Sequence, residues 1–275
     1  IGRMSLVSTS WLEKNLNKVK ILDATWHMPN TKRNALEEYT NEHIRNSIFF
    51  DIDRFSKKNT DIPHMLPAEE EWAEIVANLG ISNQDRIIIY DNSDVISSCR
   101  CWYTFIFFGH EPNLVSVLNG GLSKWKREKR KTTNDKTVSI KKNYKVKKIP
   151  DLVKSKYEID ENILTNKFKV VDARNKRRFL GLEKEPRENL RSGSIQNSLC
   201  LPFAEVINAE EKTFLDNNAI KEKFENIGIK NQNNVVFSCG SGITAAVLGL
   251  AYSIINDKYL PIIYDGSWAE YGRLK

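Results

Sequence analysis

The side chains best suited to nucleophilic, metal or acid–base chemistry in this sequence are four cysteines (Cys99, Cys101, Cys200 and Cys239) and four histidines (His27, His43, His64 and His110). Their spacing excludes several chemistries at once. Cys99-x-Cys101 is not zinc spacing and the histidines are scattered, so no metal is expected. No Walker loop or G-x-G-x-x-G run is present, so neither a nucleotide nor any other organic cofactor is expected. One cysteine stands apart. Cys239 follows the apolar run Val235-Val-Phe-Ser and opens Cys239-Gly-Ser-Gly-Ile-Thr244, which leads into an Ala-rich apolar stretch. This reads as strand, tight loop, helix. Gly240 and Gly242 let successive backbone N–H groups turn inward as a nest, and the helix start adds partial positive charge. A thiol held there is expected to ionise near neutrality and act as a nucleophile. Cys101 and Cys200 lack such a setting and read as small buried hydrophobes. A phosphatase loop of the Cys-x5-Arg type needs an arginine six residues after the cysteine; that position is Ala245, and no Arg or Lys lies in the loop.

The elements that position this loop occur twice. Leu79-Gly-Ile-Ser-Asn-Gln-Asp-Arg-Ile-Ile-Ile-Tyr-Asp91 matches Ile227-Gly-Ile-Lys-Asn-Gln-Asn-Asn-Val-Val-Phe-Ser-Cys239 at an offset of 148. Ile21-Leu-Asp-Ala24 matches Val170-Val-Asp-Ala173, His43-Ile-Arg-Asn-Ser47 matches Ser194-Ile-Gln-Asn-Ser198, and Asn119-Gly120 matches Asp265-Gly266, all at nearly the same offset. A domain-sized period means two copies of one fold rather than a solenoid. Short continuous apolar runs (Val19 to Leu22, Ile87 to Tyr90 and Val115 to Leu118; then Val170 and Val171, Val235 to Phe237, Ile262 to Tyr264) alternate with helical stretches such as Ala68 to Leu79 and Thr244 to Ile255. That alternation predicts an α/β chain in which each copy is a parallel sheet with helices on both faces. The copies are expected over 1–130 and 158–275, with 131–157 as a basic linker. At the position of Cys239 the first copy has Asp91, so that copy is expected to be non-catalytic.

Composition bounds the remaining choices. The chain has 275 residues, 40% hydrophobic and 28% charged, which suits about two globular domains with real cores and excludes collagen, a disordered tail or a disulfide-stapled miniprotein. Twelve of the 42 Lys/Arg residues fall between Lys124 and Lys148 against only Glu128 and Asp135. No interleaved aromatics accompany them, so the stretch reads as a solvated segment and no nucleic-acid partner is expected. No apolar run reaches the roughly 18 residues of a membrane span. The opening Ile1-Gly2-Arg3-Met4-Ser5 has no apolar signal core. A cytoplasmic protein without a membrane partner is the expectation.

Taken together, Cys239-Gly-Ser-Gly-Ile-Thr244 and Tyr264-Asp-Gly-Ser-Trp268 resemble the tandem-rhodanese sulfurtransferases, and within them the branch whose donor is 3-mercaptopyruvate. The similarity runs through nearly the whole chain: Val7-Ser-Thr-Ser-Trp-Leu12, Phe49-Phe-Asp-Ile-Asp53 leading to Pro63-His-Met-Leu-Pro67, Ser97-Ser-Cys-Arg100-Cys-Trp102, Gly120-Gly-Leu-Ser-Lys-Trp125, Val171-Asp-Ala-Arg174, Arg178-Phe179 and Glu185-Pro-Arg187. The resemblance implies two tandem rhodanese-like domains and a persulfide on Cys239. It also implies a relay of Ser241, His64 and Asp53 for the substrate thiol proton, with Asp53 and His64 in the first copy by position. Arg178 and Arg187, with Gly240, Gly242, Ile243 and Thr244, are implied to bind substrate. The expected partners are a small-molecule sulfur donor and a thiol acceptor such as a thioredoxin or a dithiol. The loop Gly240-Ser241-Gly242 carries no charge, which favours a donor whose charge lies away from its sulfur. Two alternatives stay open: thiosulfate as donor, and a sulfur-relay or docking module without turnover.

The chain departs from the family where a Gly-His-Ile-Pro-Gly turn is usual. It has Glu42-His-Ile-Arg-Asn46 and Gly193-Ser-Ile-Gln-Asn197, and the turn is expected to survive because Asn tolerates positive φ. Cys99 stands where Pro often precedes Arg100, and Lys57 replaces a usual acidic residue.

Overall fold

The structure, a computed structural model, describes residues 4–274; the part of the N-terminal reading that rests on residues 1–3 lies outside them. The chain forms two compact units. The first comprises residues up to Lys57, Pro67–Ile149 and Ala209–Thr213; the second comprises Lys58–Leu66, Pro150–Asn208 and Phe214–Lys275.

The first unit holds β1 (Leu6–Val7), β2 (Lys20–Asp23), β3 (Ser47–Phe49), β4 (Ile87–Tyr90) and β5 (Val115–Leu118), and the second holds β6 (Val153–Lys154), β7 (Lys169–Asp172), β8 (Leu199–Cys200), β9 (Val235–Ser238) and β10 (Ile262–Tyr264). Each unit is one five-stranded parallel sheet, ordered β1-β5-β4-β2-β3 and β6-β10-β9-β7-β8. The internal repeat is therefore a repeat of topology, with β4 and β9 central in their sheets. All four residues of β4 and of β9 are buried, so both faces of each sheet are covered, as continuous apolar strands require. In the first unit Ile88 and Tyr90 pack with Leu12, Leu122 and Trp125. Helices Glu69–Asn78 and Ser98–Phe107 bring Trp72 against Phe105, with ring centroids 5.0 Å apart. In the second, Val236 packs with Ile159, Tyr264 and Trp268. The replaced turns survive as expected: Asn46 and Asn197 have φ of 72° and 66°.

Two sequence readings are corrected. Residues 131–149 are not a free linker but part of the first unit. His43 and Thr133 form an antiparallel bridge, Lys142 N donates to Ala77 O, and Lys147 N and Ile149 N donate to Phe108 O and Phe107 O. Two of its lysines are also paired there, Lys141 with Glu74 and Lys142 with Asp85. His64 belongs to the second unit, although in sequence it lies between β3 and β4 of the first unit's sheet. Its segment is fixed where Leu66 N donates to Asp265 Oδ2 at 2.7 Å.

Candidate active site

The nucleophile loop leaves the carboxyl end of β9, the middle strand of its sheet, where α/β sheets present ligands. Its base is fixed by the helix Ser267–Tyr271: Trp268 N donates to Cys239 O and Ala269 N to Gly240 O, each at 2.9 Å, while Cys239 N donates to Ser267 Oγ at 3.2 Å. Gly242, at φ of 90°, makes the left-handed turn that starts the helix Ile243–Ile255 and aims its N–H at Cys239 Sγ, 3.0 Å away. Any side chain at Gly242 would be strained in that conformation. Ile243 and Thr244 form the first helical turn, so their N–H groups are among the donors a helix leaves unused at its start. Cys239 is buried, and so is Ser241, whose Oγ lies 2.8 Å from His64 Nδ1. His64 is held at φ of 63°, a strained backbone for a non-glycine residue.

Two cations stand over the loop. A Cβ on Gly240 would lie 3.2 Å from Arg178 Nη2 and 3.3 Å from Arg187 Nη1, so the missing side chain is what lets both guanidinium groups approach the backbone beside the sulfur. Arg178 comes from a short helix, Lys176–Phe179, capped by the Asn175 side chain. Its fork is gripped by Glu185, with Nε to Oε2 at 2.9 Å and Nη2 to Oε1 at 2.8 Å. Burial works against the charged guanidinium, but the hydrogen bonds and charge of Glu185, with Cys239 and Asp172 adding, hold its pKa above the ordinary value. Glu185 also lies 3.3 Å from Arg174 Nη1, and Arg174 is bound at 2.7 Å by Asp172 and stacked 4.7 Å over Trp268.

Of the residues expected from sequence, Cys239, Gly240, Ser241, Gly242, Ile243, Thr244, His64, Arg178 and Arg187 all belong to the second unit. Asp53 belongs to the first, where its carboxylate accepts the Trp26 indole N–H at 3.1 and 3.2 Å. Sequence reasoning gave no role to Glu185, Asp172, Arg174, Asp265 or Ser267. The available signal was two glutamates and an aspartate set among four arginines between 172 and 187. The other thiols are poor nucleophiles: burial pushes Cys99 and Cys101 well up, and burial, then Asp172, raises Cys200 to about 11.

Comparison with known proteins bears on the family and the fold. A rhodanese-like domain model matches residues 8–128. A mitochondrial "thiosulfate/3-mercaptopyruvate sulfurtransferase 1" of Arabidopsis thaliana is 35% identical over 97% of this chain and 75% of its own length. The human "3-mercaptopyruvate sulfurtransferase" is 34% identical over 97% of this chain and 91% of its own. The chain belongs to the tandem-rhodanese sulfurtransferases. Its fold is likewise that of a solved member, SseA from Escherichia coli, described as a 3-mercaptopyruvate sulfotransferase, at a TM-score of 0.84 and 29% identity, covering 96% of this chain and 99% of that one. Cys239 is the one thiol among the described residues that faces a loop amide at the end of a central strand.

Proposed function

We propose that this enzyme takes sulfur from 3-mercaptopyruvate and passes it to a thiol acceptor through a persulfide on Cys239. The Cys239 thiolate attacks the donor's sulfur. A sulfur–sulfur bond forms, the donor's carbon–sulfur bond breaks, and its electron pair leaves as the enolate of pyruvate, which takes up a proton. The donor's thiol proton goes to the Ser241–His64 pair, whose 2.8 Å contact provides a short relay. Arg178 and Arg187 bind the carboxylate and ketone end of the donor, where planar forks suit planar oxygens. The loop N–H groups, Gly242 first, hold the anionic outer sulfur. A thiolate acceptor then attacks that sulfur and releases Cys239. A thioredoxin or a small dithiol fits this step. Asp53, the third relay member implied by the family resemblance, is assigned to the proton-transfer step, and Asp53→Asn should lower kcat more than it raises KM. The four cysteines are all free thiols, which fits a cytoplasmic setting.

The observation that carries the choice of donor is the pairing of an uncharged loop, Gly240-Ser241-Gly242, with two guanidinium groups beside it. The test is donor specificity on the purified enzyme. With 3-mercaptopyruvate the protein should gain the mass of one sulfur atom, and kcat/KM should exceed that for thiosulfate; Cys239→Ser should remove both. A large preference for thiosulfate would overturn the donor assignment, and turnover in Cys239→Ser would overturn the nucleophile.

A further inference from the structure

A cavity lies in the first unit, at the amino-terminal ends of β2 and β3, the end of the sheet away from the loop that follows β4. Its volume is about 340 Å³, at the lower end of small-molecule sites. The Lys-rich strap roofs it. Lys142 N donates to Ala77 O at 3.1 Å, Ser139 Oγ to Asn78 O at 3.0 Å, and Gly80, at φ of 76°, lets the strap pass so close that a Cβ there would stand 3.1 Å from Ile140 O. The walls are of two kinds. Val19, Ile48, Ile81, Val138 and Ile140 make an apolar body, and Lys20 and Lys142 bring two amines to the same space.

Both kinds of wall are left incomplete by the protein itself. Val138 and Ile140 are 84% and 78% exposed, unusual for branched apolar side chains on a segment otherwise pinned down. Burial, and next the Lys142 ammonium, pull the Lys20 amine below its ordinary value, and Asp85, 3.7 Å from Lys142, only partly opposes this. One carboxylate is thus set against two cations. An incoming anion would relieve their repulsion, and an aliphatic body attached to it would cover Val138 and Ile140.

We propose that this cavity binds a small amphipathic carboxylate, with its headgroup between Lys20 and Lys142 and its aliphatic chain against Val19, Ile48, Val138 and Ile140. The inference is independent of the donor and of the nucleophile proposed above.

The probe is sodium octanoate, titrated below its micellar range into the full-length protein, with binding read by calorimetry and by methyl NMR. Saturable one-to-one binding with shifts at Ile48 and Ile140 is expected. Shortening the chain towards butanoate should weaken binding by up to about fourfold per methylene. Lys20→Gln/Lys142→Gln should weaken octanoate at least tenfold while leaving 1-octanol unchanged, and Lys142→Gln alone, on the exposed strap, gives the same direction should the double variant fold poorly. Val138→Ser/Ile140→Ser should flatten the chain-length series. Absence of saturable binding, equal binding by the lysine variants, or equal affinity for octylammonium would each overturn the proposal.

Discussion

The loop after β9 and the loop after β4 occupy the same place in two copies of one sheet, and their frames agree closely. Trp268 N donates to Cys239 O at 2.9 Å; Leu122 N donates to Asp91 O at 3.0 Å. What differs is the group that the loop amides meet. After β4 the resident Asp91 fills its own nest, accepting from Ser93 N and Ser98 N, each at 2.9 Å. After β9 the amide of Gly242 meets the Cys239 sulfur, 3.0 Å away. The neighbouring strands differ in parallel. Asp172 is bound by the Arg174 fork, whereas Asp23, its counterpart, meets only uncharged donors among the described residues, Thr25 and the Tyr90 side chain. Burial therefore raises Asp23 to about 7, with nearby Asp91 adding to the shift against the lowering effect of its hydrogen bonds to Thr25. A duplicated fold has kept its backbone hydrogen bonds in both halves, and arginines converge on the loop after β9.

The comparison breaks most completely when the second copy is given the first copy's residue. Cys239→Asp should abolish sulfur uptake, read as loss of the persulfide mass, with an unchanged circular dichroism spectrum. Any residual steady turnover would show that the nest residue does not separate the copies. Next in size is Glu185→Ala. It strips the carboxylate that Arg178 and Arg174 share in a dry setting and should cost about 3–5 kcal/mol in urea unfolding. A loss below about 1 kcal/mol would mean that the arginines are held by other contacts.

Asp23 then tests the first copy. Its folded pKa is raised, so its stabilising contribution is full below its ordinary carboxylate value of 3.8 and is lost as pH rises towards about 7. Asp23→Asn should therefore gain on the parent between pH 5 and pH 8, by up to about 3 kcal/mol. Parallel stability curves for the two proteins would contradict the contrast with Asp172. Smallest is Gly240→Ala. Its methyl group would press on both guanidinium groups and, at about 1 kcal/mol, raise KM for the donor roughly fivefold with kcat little changed.

Much of this was legible in the sequence, for physical reasons that differ by element. The strands β2, β4, β5, β7, β9 and β10 are largely buried and each carries two to four apolar residues that mark it in the sequence. The edge strands β1, β3, β6 and β8 have two or three residues each and exist through their partners, so no local pattern marks them. The Cys239 loop was readable because two glycines after a strand serve a local conformation. Glu185 was not, because its importance arises from which arginines meet it in space. The strap from 131 to 149 has no helical or strand period, since its hydrogen bonds run to loops and helix ends elsewhere in the first unit, and its sequence alone resembles a tether.

The exchange of short segments between the halves of the chain has a consequence for any attempt to divide it. A polypeptide cut near residue 149 separates the cysteine from the histidine that touches its neighbouring serine, and leaves the first unit without residues 209–213. Neither fragment is a complete module, so the two copies cannot be shuffled, swapped or inherited singly by a simple break at the seam of the repeat.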